Sequence, residues 1–322
     1  MLHETYMRRC IELARHGCMH AAPNPMVGAV IVYEGRIIGE GYHACCGKAH
    51  AEVNALASVR PADHPLIKES TLYVSLEPCA HYGRTPPCAV QIVKAEIPRV
   101  VVGCIDPFAK VQGRGIQILR DAGVEVTVGV LEKECRELNR RFITAQTRHR
   151  PYVTLKWARS ADGFIDRWRE TPDEEPAHIS TPFSLMHAHR LRAQNQAILV
   201  GHGTLTKDRP TLTVRHWTGN DPLRVVLGRI AEGELPAGFQ AYADIPTMMD
   251  DLYRQGVQTL LVEGGQQTLQ SFIDEGLWDE AFVEVGTGEL GSGVPEPRMP
   301  VGVRLTPRRT FGALILHYTN HE

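Results

Sequence analysis

The chain has 322 residues, with 35 Lys and Arg against 37 Asp and Glu and a formal net charge of −2. At roughly 150 residues per domain this length predicts two domains, and a composition of 43% apolar and 22% charged residues supplies ordinary globular cores. The near-neutral balance argues against binding to nucleic acid through bulk charge, and no apolar run reaches membrane-spanning length. Met1-Leu2-His3-Glu4-Thr5-Tyr6 has neither the basic nor the apolar region of a signal peptide, so the expectation is a soluble cytoplasmic protein.

In chain order, apolar residues at helical spacing (Tyr6, Met7, Cys10, Ile11, Leu13, Ala14) predict a helix over residues 4–17. Two strands, 27–32 and 36–41, flank a turn at Glu34-Gly35. Helix 49–59, strand 71–76, helix 87–95, strand 100–105, helix 115–122, strand 124–128 and one long helix over 132–146 complete the first half. The polar, proline-terminated stretch 147–150 reads as a linker. A second series follows: strand 152–157, helix 184–193, strands 197–200 and 223–227, helix 247–255, strand 259–262, helix 267–275, and strands 281–285 and 313–317. Residues 167–176 are acidic and rich in breakers, which predicts an exposed loop. Alternating strands and helices imply layered α/β sheets in both halves.

The strongest chemistry lies in the first half. His50 opens a predicted helix with Glu52 two residues on; Cys79 follows Pro78 at a strand end, and Cys88 follows Pro86-Pro87 at a helix start. An imidazole and two thiolates supply three ligands of a tetrahedral Zn2+ site whose fourth position stays open for water, as in catalytic zinc. Zinc brings the ionisation of such a water close to neutral pH, so that it can attack an amidine carbon. Glu52 is placed to take a proton from the water and give one to the departing ammonia. H-x-E with P-C-x-x-C is the signature of zinc nucleobase deaminases. A buried cysteine or a lone histidine is usually packing; the joint pattern is what points to metal. All eight cysteines lie between positions 10 and 135, and without an export signal they read as core filler or ligands, not disulfides. Cys45-Cys46 is adjacent rather than spaced for chelation and reads as non-ligating.

The cysteine spacing departs from that signature, with eight residues between Cys79 and Cys88 instead of two. The run Cys79-Ala80-His81-Tyr82-Gly83-Arg84-Thr85-Pro86-Pro87-Cys88 stands with Pro23-Asn24-Pro25-Met26-Val27-Gly28 and with His43 after Gly41-Tyr42. Together they resemble the deaminase half of the bifunctional riboflavin-biosynthesis deaminase/reductase family over residues 1–146. Cytidine and tRNA-adenosine deaminases keep the short spacing. The resemblance implies a cytidine-deaminase-like α/β/α domain acting on diaminohydroxyphosphoribosylaminopyrimidine. It also implies that Asn24, His43, His81 and Arg84 hold its base or phosphate. Asn24 can offer a donor and an acceptor to a pyrimidine edge, and Arg84 can fork onto phosphate.

Over residues 151–285 the second half resembles the reductase of the same family, which implies an α/β domain of dihydrofolate-reductase-like fold spanning residues 151–322. The blocks that carry this are Leu155-Lys156-Trp157-Ala158-Arg159-Ser160-Ala161-Asp162-Gly163, Leu191-Arg192-Ala193-Gln194, Val200-Gly201-His202-Gly203-Thr204 and Asp208-Arg209-Pro210-Thr211-Leu212-Thr213-Val214-Arg215. Glu263-Gly264-Gly265 then opens a helix, a setting for phosphate on free N–H groups. The resemblance implies that Ala158, Gly203, Thr204, Asp208, Gly264, Gly265, Gln266 and Gln267 contact NADPH. Arg192, Leu212, Arg215 and Glu263 would contact the ribosylamine phosphate, and Lys156 would lie near the reacting sugar carbon. The reaction is conversion of the ribosyl chain of 5-amino-6-(5-phosphoribosylamino)uracil to ribityl, with hydride from the nicotinamide.

Three departures stand out. Pro176 lies near a position where many members have serine, and Gly228 follows a strand where aspartate is usual. Residues 229–246 show no clear strand where the family fits one, so the second domain is expected to be shortened there. The resemblance further implies a homo-oligomer acting on a small nucleotide-like substrate, without nucleic acid or membrane. The alternatives are a deaminase with a degenerate or structural C-terminal domain and, more remotely, an RNA-editing deaminase. The near-neutral charge and the long cysteine spacing both speak against the latter.

Overall fold

The computed structural model describes residues 2–82, 86–108, 112–171, 173–231, 233–310 and 312–320. The chain divides into two compact units, Met1–Arg148 and His149–Glu322.

The first unit runs α1 (Leu2–Arg15), β1 (Gly28–Tyr33), β2 (Arg36–Tyr42), α2 (Ala51–Ala57), β3 (Thr71–Leu76), α3 (Cys88–Lys94), β4 (Arg99–Cys104), α4 (Arg114–Asp121), β5 (Glu125–Val128), α5 (Glu132–Leu138) and α6 (Arg140–Arg148). Its sheet has the order β2-β1-β3-β4-β5. The β1–β2 hairpin closes through Glu34 and Gly35, both at positive φ (44° and 80°), the mirror-image turn that matches strand twist. Strand alternation sorts the side chains into two cores. Ala29, Ile31, Leu72, Val74, Val100 and Val102 face α2, α3 and α4, while Val30, Val32, Tyr73 and Val101 face α1 and α5. This is the expected α/β/α layering.

The helix expected over 132–146 is two helices. Asn139 interrupts it because its side-chain amide is committed elsewhere, accepting from the Met26 N–H at 2.8 Å and donating to the Met26 carbonyl at 2.9 Å. Helical periodicity carries straight through this break, so local pattern alone does not reveal it.

The second unit comprises β6 (Tyr152–Arg159), β7 (Phe164–Asp166), α7 (Pro182–Ala193), β8 (Ala197–Gly201), α8 (His202–Asp208), β9 (Leu223–Leu227), β10 (Phe239–Tyr242), α9 (Ile245–Arg254), β11 (Thr259–Val262), α10 (Gln266–Asp274), β12 (Glu280–Val285), β13 (Val294–Pro295), β14 (Arg304–Thr310) and β15 (Ala313–Thr319). The main sheet is ordered β10-β9-β8-β11-β6-β12-β15-β14. Neighbours from β10 to β12 pair in parallel, and β15 and β14 close the edge antiparallel. Val153, Leu155, Trp157, Leu260 and Val262 pack against α9 and α10 on one face. Ile198, Val200, Val226 and Leu261 meet Leu191 of α7 and Leu205 of α8 on the other.

Two sequence expectations are corrected here. Residues 229–246 do contain a strand, β10, which pairs with β9 from Phe239↔Arg224 to Tyr242↔Leu227. Phe239 and Tyr242 favour strands, but four residues are too few to show a period-2 alternation; the partner edge and the Arg224 guanidinium 4.9 Å over the Phe239 ring organise them. The loop over 167–176 is exposed along most of its described length, but the Arg169 side chain is only 6% exposed, clasped by Asp166 and Asp208. Of the stretch read as a linker, Thr147 and Arg148 end α6. Arg150 is buried with its guanidinium forked onto Asp279 at 2.7 and 2.9 Å.

Candidate metal centre and active sites

The three expected ligands converge at element ends on one side of the first sheet. His50 is the N-cap of α2, Cys79 lies just past β3, and Cys88 is the first residue of α3, set by Pro87 before it. His50 Nδ1 lies 3.6 Å from Cys79 Sγ and 3.3 Å from Cys88 Sγ, and the donor atoms all fall within 4.8 Å of one another. A tetrahedral centre with Zn–S of about 2.3 Å and Zn–N of about 2.0 Å has edges of about 3.5 Å, so these donors stand at ligand spacing. The Cys88 backbone N–H donates to Cys79 Sγ at 3.2 Å. Hydrogen bonds from the Cys88 side chain and from His50 outweigh burial and hold the Cys79 thiol well below its ordinary value, toward the thiolate that binds metal. Among the described residues this is the one cluster of metal-ligating groups, and Cys45 and Cys46 lie outside it.

Glu52 lies in the first turn of α2 and is 4% exposed; burial first, then the neighbouring Cys79, pushes its carboxyl up to about 7. A carboxyl balanced near neutrality beside a metal site is equipped both to accept and to return a proton.

Asn24 and His43 form one assembly. His43 Nδ1 lies 3.1 Å from the Ala49 carbonyl, which can only accept, so Nδ1 carries the proton and Nε2 accepts from Asn24 Nδ2 at 3.1 Å. Burial lowers the His43 pKa, consistent with the neutral ring. The ring stands edge-on to His50, centroids 5.2 Å apart. His81 is exposed, with its ring edge toward Phe108 at 6.4 Å. Arg84 lies outside the described residues.

Sequence reasoning missed Glu77. Its buried carboxylate accepts from the backbone N–H groups of Asp106, Gly113, Gly115 and Ile116 at 2.9–3.3 Å, tying the segment that carries Cys79 to the start of α4. Its only sequence signal is its place directly before Pro78-Cys79.

In the second unit, Lys156 and Ala158 lie on β6 opposite Phe282 and Glu284 of β12. Glu263 follows β11, and its carboxylate accepts from Arg192 Nε at 3.1 Å and Nη2 at 2.6 Å. Burial opposes ionisation of Glu263, but Arg192 and then Lys156 outweigh it and hold the carboxyl below its ordinary value. Gly265 caps α10, which opens at Gln266 and Gln267, and its N–H donates to Thr204 Oγ1 at 3.1 Å. Thr204 and Gly203 belong to α8, so two segments that the resemblance assigns to NADPH are brought together, with Gly264 between β11 and Gly265. Asp208 ends α8 bound to Arg169 at 2.6 Å. The Leu212 side chain lies in the core with Leu191 and Val226, its backbone at φ 56°. Arg215 is exposed. Gly228 has φ 136°, and a β-carbon there would stand 2.8 Å from His202 Cβ, so any side chain, aspartate included, is excluded from this position.

No helix among the described residues is long and apolar enough to cross a membrane. Residues 1–104 match the family model of the cytidine and deoxycytidylate deaminase zinc-binding region, and residues 151–309 match that of the RibD C-terminal domain. The riboflavin biosynthesis protein RibD of Aquifex aeolicus is 40% identical over 323 residues, covering 90% of this chain and 88% of that protein. RibD of Escherichia coli is 34% identical over 337 residues, covering 91% and 89%. The crystal structure of a diaminohydroxyphosphoribosylaminopyrimidine deaminase/5-amino-6-(5-phosphoribosylamino)uracil reductase from Thermotoga maritima superposes with a TM-score of 0.88 at 33% identity, covering 99% of each chain. A structure of Acinetobacter baumannii RibD gives 0.87 at 32% identity, covering 100% of this chain and 99% of that one. With both halves matched along their length, the chain belongs to the RibD family of bifunctional riboflavin-biosynthesis enzymes, a cytidine-deaminase-like zinc deaminase joined to a reductase of dihydrofolate-reductase-like fold.

Proposed function

We propose that the first unit hydrolytically deaminates diaminohydroxyphosphoribosylaminopyrimidine and that the second reduces the resulting 5-amino-6-(5-phosphoribosylamino)uracil to its ribityl form with NADPH. The observation that carries this reading is the His50–Cys79–Cys88 donor cluster with buried Glu52 beside it, on a chain matched to deaminase/reductases over both halves.

His50, Cys79 and Cys88 would hold zinc, which when bound supplies a Lewis acid and an open position for water. Glu52 takes the proton released as water adds to the amidine carbon and delivers it to the amine, which leaves as ammonia. Asn24 spends its amide N–H on His43, which leaves Oδ1 as an acceptor for a pyrimidine donor. His43 locks that orientation, and His81 and Arg84 would contact the substrate's base or phosphate.

In the second unit NADPH, when bound, supplies hydride. Ala158, Gly203, Thr204, Asp208 and the turn Gly264, Gly265, Gln266, Gln267 would hold it, the turn presenting backbone N–H groups to its phosphates. Lys156, Arg192, Leu212, Arg215 and Glu263 would face the sugar phosphate, with Glu263 kept ionised by Arg192 and Lys156.

Incubating zinc-loaded protein with the diaminopyrimidine substrate and NADPH, followed by mass spectrometry, tests both halves. Amine-to-carbonyl exchange plus two added hydrogens is the expected product. Exchange without the hydrogens overturns the reductase half, and hydrogens without exchange overturn the deaminase half.

A further inference from the structure

Residues 212–215 belong to no helix or strand, so no ladder holds their backbone groups in place. Three side chains do so instead. Arg192 Nη1 donates to the Thr213 carbonyl at 3.2 Å, the Val214 N–H donates to Asp221 Oδ1 at 2.7 Å, and the Arg215 N–H donates to His189 Nδ1 at 2.9 Å. His189 and Arg192 are three apart on α7 and share a face of that helix. The Leu212 side chain anchors the other end of the segment in the core.

Of these anchors, His189 is buried most completely, at 2% exposure, with the His216 ring edge-on at 4.7 Å. Accepting at Nδ1 requires that nitrogen to be unprotonated. Burial first, then the positive charge of Arg192, keeps the ring in that form, lowering its pKa to about 4. His216 and Arg215 press the same way, and Glu263 opposes them. Arg215 itself is an exposed residue, and among the described residues it makes no ion pair. The backbone of Arg215 is therefore fixed while its charged end is left available.

We propose that His189 is a positioning residue of the reductase: by accepting the Arg215 N–H it sets the backbone from which the Arg215 side chain reaches the substrate phosphate. This rests on the proposed role of Arg215 as a substrate contact, so the test separates the two.

Steady-state reductase kinetics with 5-amino-6-(5-phosphoribosylamino)uracil and NADPH are measured on the full chain for wild type, Arg215→Ala, His189→Leu and His189→Asn. Arg215→Ala is expected to raise the substrate KM at least tenfold, as loss of a charge-assisted phosphate contact does. His189→Leu, which strands the Arg215 N–H, raises the same KM on the order of five- to tenfold, with kcat and the NADPH KM within about twofold of wild type. His189→Asn places Oδ1 where Nδ1 was and restores the substrate KM to within about twofold of wild type. A rise with Arg215→Ala but none with His189→Leu overturns the positioning role. So does an Asn variant as impaired as the Leu variant, or a Leu variant that loses kcat and NADPH affinity along with substrate affinity. A wild-type KM for Arg215→Ala overturns the substrate reading of Arg215 and the positioning role with it. If His189→Leu does not fold, His189→Gln replaces it, moving the acceptor one methylene outward; a raised substrate KM supports the role and an unchanged one overturns it.

Discussion

Arg192 and Glu263 hold each other. Two residues that sequence resemblance assigns separately to substrate are joined by a forked pair of hydrogen bonds, 3.1 and 2.6 Å, with side chains only 14% and 10% exposed. The pair links the last turn of α7 to the end of β11. Each member is therefore preset by the other before any ligand arrives.

Breaking this pair from one side leaves the other charge buried and uncompensated, which costs about 3–5 kcal/mol. Arg192→Met is expected to lower the stability of the second unit by an amount of that order and to abolish reduction. The double variant Arg192→Met/Glu263→Gln regains much of the stability but none of the activity. Urea unfolding and reductase assays on the single and double variants give the coupling energy directly; additive losses would remove the pair from the account.

Glu52→Gln keeps His50, Cys79 and Cys88, so bound zinc measured by elemental analysis stays at the wild-type level. Deamination falls by about 10²- to 10⁴-fold, the usual contribution of a positioned acid/base. Reduction of substrate supplied already deaminated is unchanged. Near-normal deamination by this variant contradicts the proton-transfer role.

Cys88→Ser, or exhaustive chelation of the wild type, removes one ligand or the metal itself. Deamination disappears and the thermal midpoint of the first unit drops, because metal that binds only the folded state stabilises it. Reductase turnover persists. Zinc retained at full occupancy in Cys88→Ser would exclude this thiol from the ligand set.

Asp63 gives a pH-dependent test of the first unit. Hydrogen bonds from Arg36 and then Arg60 hold its carboxyl at about 2, below its ordinary 3.8. A depressed carboxylate stabilises the fold at every pH above its unfolded value, and that contribution is lost as pH falls through the folded one. Asp63→Asn should therefore lower the urea midpoint at pH 7, and the gap to wild type should narrow between about pH 4 and pH 2. A gap that is independent of pH would show that the pair's charge is not what stabilises this corner.

The metal centre is legible in the sequence because its parts are local. His50 and Glu52 are two residues apart, and Cys79 and Cys88 flank one short connection, so each half of the site lies within a single turn or loop. The fold adds the convergence of the two halves at 3.3 and 3.6 Å, which follows from the side-by-side packing of α2 and α3 on one face of the sheet. Most helices and strands are legible for the same reason, since periodicity acts over a few residues. The break at Asn139 and strand β10 escape because each is made by a partner distant in the chain: Met26 for the one, β9 for the other.

Local pattern thus suffices for the layered α/β class of both halves, for the three candidate zinc donors with the glutamate beside them, and for the family to which the motifs point. Which polar groups meet across the fold is set only by the folded chain. Arg192 meets Glu263, Arg169 meets Asp208, His189 meets Arg215 and Glu77 meets the start of α4. These partners lie 26 to 71 residues apart. Sheet order and helix packing bring them within hydrogen-bond reach, and local pattern carries no record of such distant pairings.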